Sequence, residues 1–442
     1  MAQRTSAAGM SRLGRRMGYD SPLADALQGD VLERFLRYVR IDTQSDRHSS
    51  SYPSTAKQLD LSRLLVDELR GLGLEDVELT GHGYVFATLP GSGGPTVGLV
   101  AHVDTSPDAP GAGVDPQVHR AYDGGELVAG LSPATSTLLG ERIGHDIVTS
   151  DGTTLLGADD KAGVAEIIAA VAYLTAHAEL PHAPARIAFT VDEEIGHGTD
   201  HFDLEQFGAD FAYTVDGSEV AEIENETWSA LELRVTFHGV GAHPGTAKGR
   251  LVNPIKLAAR FVASLPRETL SPETTEGREG FVHPTEIEGG AERVTVTLIL
   301  RDFDWDTLLA HEALVRRLAE EAVADEPRAR VEFERWEQYR NMREALERVP
   351  HVVEAALEAT RRVGLEPRLA SIRGGTDGSR LTELGLPTPN IFTGGNEYHS
   401  LREWISVQDL AISAATVVEL LAVWAEPAWV ARAAAGHMSS AS

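Results

Sequence analysis

No cysteine occurs anywhere in the 442 residues. That excludes disulfides, thiolate nucleophiles, cysteine-ligated zinc and iron–sulfur clusters. Positive charge is scarce too: Lys+Arg number 39 against 67 Asp+Glu, a formal net charge of −28. A surface of that sign repels phosphate backbones, so nucleic acid is not an expected partner. No stretch approaches the ~20 consecutive apolar residues of a membrane span, so no membrane partner is expected either. What remains is ordinary globular composition, 42% hydrophobic and 24% charged, enough to bury a core without covalent staples. At about 150 residues per domain, the length predicts two or three domains.

The first residues differ from the rest. Met1 to Met17 carries Arg4, Arg12, Arg15 and Arg16, meets no acid before Asp20, and lacks the apolar core of a secretory signal. An organellar transit peptide and a disordered extension both fit this composition. The expectation is a disordered extension over 1–22 on a cytoplasmic protein. Residues 428–442 read as a C-terminal tail.

Apolar spacing predicts amphipathic helices over Asp30 to Arg40 and Ala56 to Arg70, the second stopped by Gly71. Buried strands follow at Thr96 to Asp104, Ala185 to Asp192, Asp210 to Asp216 and, shorter, Thr388 to Thr393, with a helix over Ala162 to Ala176. Strands alternating with helices argue for an α/β sheet covered on both faces. From about Thr227 the rhythm changes. Strands at Leu231 to Phe237, Arg293 to Leu300 and Arg330 to Trp336 enclose helices at Pro254 to Leu265 and Thr307 to Val323. This β-α-β-α-β run reads as an inserted α+β domain of ferredoxin-like type. Helices at Val352 to Val363 and Val407 to Trp424 then resume the first pattern. The expected domains are a catalytic part 23–226, an insertion 227–338 and a second catalytic part 339–427.

Three apolar runs end in acids: Asp104, then Asp192-Glu193-Glu194, then Asp216. Ligands of open α/β sheets bind beyond the carboxyl ends of the strands, and acids clustered there repel one another unless a cation sits among them. His102-Val-Asp104 places an imidazole and a carboxylate on one strand face, where the acid can fix the ring's orientation. Asp159 and Asp160 precede a helix and suit capping. Adjacent Glu193 and Glu194 can divide labour between general base and metal ligand. His399 follows the short strand near Ile391. Singly, each has a structural reading: a chance pair, a cap, a solvated turn. Together, two histidines and three carboxylates make the donor set that Zn²⁺, Mn²⁺ or Co²⁺ accepts. A pair of such ions about 3.5–4 Å apart needs one bridging carboxylate with terminal ligands on each side.

Five motifs in order carry a resemblance. They are His102-Val-Asp-Thr-Ser-Pro-Asp108, Gly157-Ala-Asp-Asp-Lys161, Asp192-Glu-Glu-Ile-Gly196, His243-Pro-Gly-Thr-Ala-Lys248 and Arg373-Gly-Gly-Thr-Asp-Gly378. From roughly Asp30 to Trp424 the chain resembles the tripeptide aminopeptidases (peptidase T) of the dizinc M20 metallopeptidases. The resemblance implies an α/β zinc-peptidase-like catalytic domain with a mixed, mostly parallel sheet, interrupted by a ferredoxin-like lid and dimerisation domain. It implies His102 and Asp216 on one zinc, Glu194 and His399 on the other, and Asp159 as the bridge, with Asp160 the fallback. Asp104 would orient His102, and Glu193 would be the unbound general base. His243 would reach a partner's site in a homodimer, and Arg373 would clamp a peptide carboxylate, as two parallel hydrogen bonds from a guanidinium allow. Two zinc ions are the implied cofactors, cobalt or manganese fitting the same donors, and short peptides the implied substrates. Other M20 activities (dipeptidase, carboxypeptidase, N-acyl-amino-acid hydrolase) share these motifs. A non-catalytic metal- or peptide-binding homologue would share the fold, and the acidic clusters taken by themselves would suit calcium, against which the two histidines argue.

Overall fold

The computed structural model describes residues 18–440, so the arginine-rich start up to Met17 lies outside the described residues. In chain order the elements are α1 (Pro22–Tyr38), α2 (Gln58–Gly71), β1 (Glu75–Leu79), β2 (Val85–Leu89), β3 (Val97–His102), β4 (Gln117–His119), α3 (Thr137–Glu141), β5 (Ile147–Thr149) and α4 (Ala158–Ala176). Next come β6 (Ala185–Thr190), α5 (Leu204–Phe207), β7 (Phe211–Gly217), β8 (Glu222–Thr227), β9 (Ser229–His238), α6 (Pro254–Ser264), β10 (Phe281–Gly289), β11 (Arg293–Asp302), α7 (Trp305–Val323), β12 (Arg330–Tyr339) and α8 (Arg343–Glu347). The chain finishes with α9 (Pro350–Arg362), β13 (Arg368–Ile372), α10 (Asp377–Glu383), β14 (Asn390–Phe392), β15 (Gly395–Asn396), β16 (Trp404–Ser406), α11 (Val407–Ala425) and α12 (Pro427–Ser440).

Two compact units result. Among the described residues, the first comprises those up to Glu224, Arg348–Leu369 and those from Leu386 on; the second is Asn225–Glu347 with Ala370–Gly385. The sequence reading puts Ala370–Gly385 in the second catalytic part; it groups instead with the second unit. Local contacts account for this: Arg373 stacks on Trp228 at 4.8 Å, and Arg380 donates to the Gln338 carbonyl at 2.7 Å.

The first unit holds β1, β2, β6, β3, β7 and β14 of an eight-stranded sheet of order β1-β2-β6-β3-β7-β14-β8-β13. Its centre, β6, β3, β7 and β14, is parallel, while β1, β2 and β8 pair antiparallel with their neighbours. Such a sheet must be covered on both faces, hence strands that are apolar throughout rather than alternating; β3 is buried at all six residues. Helices α4 and α11 are apolar nearly all round, a pattern that only burial on every side can satisfy. α4 packs on β3 and β7 and also against α1 and α11. α11 is long and apolar enough to cross a membrane, but 89% of its most apolar window is buried inside the protein, as for a core helix. A small antiparallel sheet, β15-β16-β5-β4, completes this unit.

Helix α4 lies so close to β7 that a Cβ on Gly163 would come within 1.8 Å of the Val215 carbonyl oxygen. Alanine normally improves a helix interior by about 1 kcal/mol. Here the clash outweighs that gain, and Gly163→Ala is expected to destabilise by about 1–3 kcal/mol. A lowered thermal midpoint checks this; a raised one contradicts the packing.

In the second unit the antiparallel order β10-β11-β9-β12, with α6 and α7 on one face, is the ferredoxin-like arrangement. Alternate residues of β9 (Leu231, Leu233, Val235, Phe237) and β11 (Val294, Val296, Leu298, Leu300) form its core with Leu257, Phe261, Leu308 and Val315.

Three sequence expectations need correction. The insertion is β-α-β-β-α-β: β10 is missing from the sequence reading, because Pro284 interrupts it and its outer half is exposed, as suits an edge strand. α1 begins at Pro22, eight residues early, because Ser21 caps it by accepting from the Ala24 N–H at 3.3 Å with proline at the first position. The stretch from Ala428, read as tail, is α12; it packs on α9 and α11, with Trp429 edge-on to Trp424. Its alanines are the strongest helix formers, whatever their tail-like composition.

Candidate metal centre

Because β6, β3 and β7 are parallel, their carboxyl ends open on one edge of the sheet, and α4 starts there too. His102 closes β3 and is 2% exposed. Its Nε2 faces Asp159 Oδ1 at 2.9 Å and Asp216 Oδ1 at 3.7 Å. On the other side, Nδ1 meets the Asp104 carbonyl at 3.1 Å and Asp104 Oδ1 at 3.4 Å. Burial works against the charged ring, but the bonds to Asp104 and Asp159 raise His102 well above its ordinary range. With Nδ1 committed to Asp104, a cation that displaced the Nε2 proton would meet a lone pair facing the acids. Asp104 is itself fully buried and accepts the N–H groups of Glu193 at 3.0 Å and Glu194 at 3.2 Å. One carboxylate thus fixes the imidazole and ties the end of β3 to the loop after β6.

Asp159 and Asp160 open α4 before its backbone becomes helical, and they part company there. Asp160 is fully buried, caps the helix through the Gly163 N–H at 3.1 Å and accepts the His102 N–H at 3.2 Å. Asp159 points the other way: Oδ1 meets His102, and Oδ2 lies 3.2 Å from His399 Nε2. The acidic triplet divides similarly. Asp192, at φ +58°, is a structural anchor that accepts the Ser54 N–H and the Gln58 amide, each at 2.6 Å. Glu194 Oε2 lies 2.8 Å from His399 Nε2. Glu193 is half-buried and belongs to neither group of candidate ligands.

Those groups are His102, Asp159 and Asp216, and Asp159, Glu194 and His399; within each, the ligand atoms lie within 4.8 Å of one another. Asp159 is common to both. The electrostatics show how crowded the acids are. Burial and the Asp159 charge push Glu194 up to about 8. Burial, then Asp160, raises Asp216. Burial also works against Asp159, but the two imidazoles outweigh it and hold this carboxyl well below its usual range. His399 loses by burial yet is raised to about 11 by Asp159 and Glu194. Glu194 Oε1 is buried with no hydrogen-bond partner. An orphaned carboxylate oxygen among excess negative charge fits a pair of divalent cations.

Two further acids stand beside these groups. Asp108 lies 3.5 Å from His399 Nδ1 and pairs with Arg47 at 2.7 Å. Glu403, fully buried beside the Asp159 turn, was invisible to motif reading; its only sequence sign is an acid four residues after His399. The structure does not bring His243 and Arg373 into either ligand group. Both lie in the second unit. His243 is exposed and caps a 3-10 turn by accepting from the Gly245 N–H. Arg373, besides stacking on Trp228, reaches Thr275 Oγ1 at 3.3 Å.

Comparison with known proteins bears on the family of the chain. Residues 150–423 match the model of peptidase family M20/M25/M40. A peptidase T of Geobacillus thermodenitrificans is 46% identical over 404 residues, covering 89% of this chain and 98% of the relative. The crystal structure of aminopeptidase PepT from Bacillus cereus superposes with TM-score 0.69 at 25% identity, over 90% of this chain and 99% of that one. A Bacillus subtilis protein described as a dinuclear metal-binding peptidase of family M20 shares the fold at TM-score 0.62 and 16% identity, over 90% and 98% of the two chains.

Proposed function

The chain belongs to peptidase family M20/M25/M40, and on that premise we propose that it is an aminopeptidase releasing the first residue of tripeptides. One observation carries the proposal: Asp159 offers one oxygen to each of two ligand groups, as a carboxylate bridging two metal ions must. The likeness to proteins named peptidase T supports the substrate class. In this reading His102 and Asp216 would hold one ion and Glu194 and His399 the other, with zinc the metal. Bound there, two such ions would supply the Lewis acidity that brings the pKa of a water towards ~7. Glu193 would take the proton of the attacking water and pass it to the amine that leaves as the peptide C–N bond breaks. Asp104 holds the His102 ring and, through the Glu193 N–H, the base itself. Arg373 takes the peptide carboxylate. His243 steadies the developing oxyanion across a homodimer formed through the second unit, which serves as lid.

The test is a comparison of substrates. Hydrolysis of a free tripeptide, abolished by chelator and restored by Zn²⁺, with the N-acetylated tripeptide and a dipeptide left intact, is the expected result. Cleavage of only the blocked peptide overturns the aminopeptidase reading in favour of an acyl-amino-acid hydrolase, and cleavage of only the dipeptide points to a dipeptidase.

A further inference from the structure

Glu403 is 1% exposed and precedes β16. The partners of both its oxygens are main-chain N–H groups. Oε2 accepts from Leu156 at 2.7 Å and from Gly157 at 2.8 Å, and Oε1 accepts from Asp159 at 3.1 Å. These three donors form the turn from which Asp159 projects, a turn that Gly157 enters at φ +82°, where side chains are disfavoured. Burying a carboxylate is costly, and charge-assisted bonds from oriented N–H groups are the compensation. The cost has a local purpose, since Glu403 lies on the segment that also carries His399. Its carboxylate therefore fastens the His399 segment to the Asp159 turn, across 244 residues of sequence. The two side chains so fastened meet at 3.2 Å in one candidate ligand group, and Asp159 belongs to both groups.

We propose that Glu403 is a positioning residue of the dinuclear centre: by gripping the Asp159 turn it sets where the shared carboxylate stands between the two metal ions. The proposal rests on Asp159 being the bridge. Glutamine at 403 keeps the volume but loses the charge, and its amide NH₂ opposes one of the three N–H donors. The shared carboxylate then shifts, and both ions are held less well.

The experiment titrates metal-free, full-length protein with Co²⁺, following uptake by calorimetry and visible absorption, and spin coupling between the two ions by electron paramagnetic resonance. Wild type is expected to take up two coupled ions. Glu403→Gln is expected to lose roughly 10–100-fold in affinity for both, the usual cost of removing a partner that supports a ligand. Uncoupled Co²⁺ signal is expected to grow, and kcat to fall with KM little changed. Glu403→Asp, keeping the charge, is expected to recover part of the affinity; it also decides the matter if the glutamine variant fails to fold. Unchanged affinity and coupling in Glu403→Gln overturns the proposal, even if its thermal midpoint drops, because Glu403 would then serve stability alone. A wild type that binds fewer than two Co²⁺ overturns the bridging reading beneath it instead.

Discussion

Glu193→Gln is expected to retain both metal ions and lose turnover by roughly 10²–10⁴-fold, the usual contribution of a positioned acid–base group. That corresponds to about 3–5 kcal/mol of transition-state stabilisation. The substitution preserves shape and removes only the ability to take up and release a proton. Glu193 belongs to neither ligand group, and the bond by which Asp104 holds it is to its main-chain N–H, which the substitution keeps, so metal content is expected to stay at wild-type level by elemental analysis. KM is expected to change little, since the loss falls on the chemical step. Glu194→Gln, one residue on, supplies the contrast: it removes a ligand oxygen 2.8 Å from His399 Nε2, and its activity falls together with metal content. Wild-type kcat in fully loaded Glu193→Gln protein would remove Glu193 from the mechanism.

Where the sequence was legible, one physical cue decided the reading. β3, β6 and β7 are continuous apolar runs because parallel strands are covered on both faces, and their bounds fall within two residues of expectation. β4, β5, β15 and β16 have two or three residues each, and the sheet they form joins β16 to β5 from a distant part of the chain. No periodicity develops in so short a span. β10 failed for a different reason: although nine residues long, it buries only Phe281 and Val282 and is exposed from Thr285 on, so no alternation marks it.

The candidate ligands were legible because acids at strand ends stand out against apolar runs. The choice between Asp159 and Asp160 was not, since both are aspartates before a helix and only the turn of the backbone directs one to the imidazoles and the other to the Gly163 N–H. Asp192 looked like its two neighbours, yet serves Ser54 and Gln58. Glu403 and Asp108 act through partners that the fold alone brings near. A carboxylate whose work is to hold a main-chain turn has no motif of its own.

Asp159→Asn is expected to abolish stable binding of both ions and, with it, activity, where loss of a terminal ligand would cost one ion first. Removing the shared carboxylate leaves His102 and Asp216 on one side and Glu194 and His399 on the other, too few for either ion. The same variant alters the metal-free protein in a way that isolates the electrostatic argument. Glu194, ordinarily 4.5, is pushed up to about 8 by burial and the Asp159 charge, so the folded state binds its proton more tightly than the unfolded chain. The resulting stability is fully present below about pH 4.5 and is lost as pH rises towards 8. His399, raised to about 11 from 6.5, adds a loss of the same sign at higher pH. Metal-free wild type is therefore expected to weaken steadily between about pH 5 and pH 8 in denaturant titrations. Asp159→Asn, by deleting the charge that helps raise both groups, is expected to flatten that slope while losing the metals. Metal-free stability that rises with pH over this interval would mean that the acids are not crowded as the distances require, and the case for two cations at this edge of the sheet would fail with it.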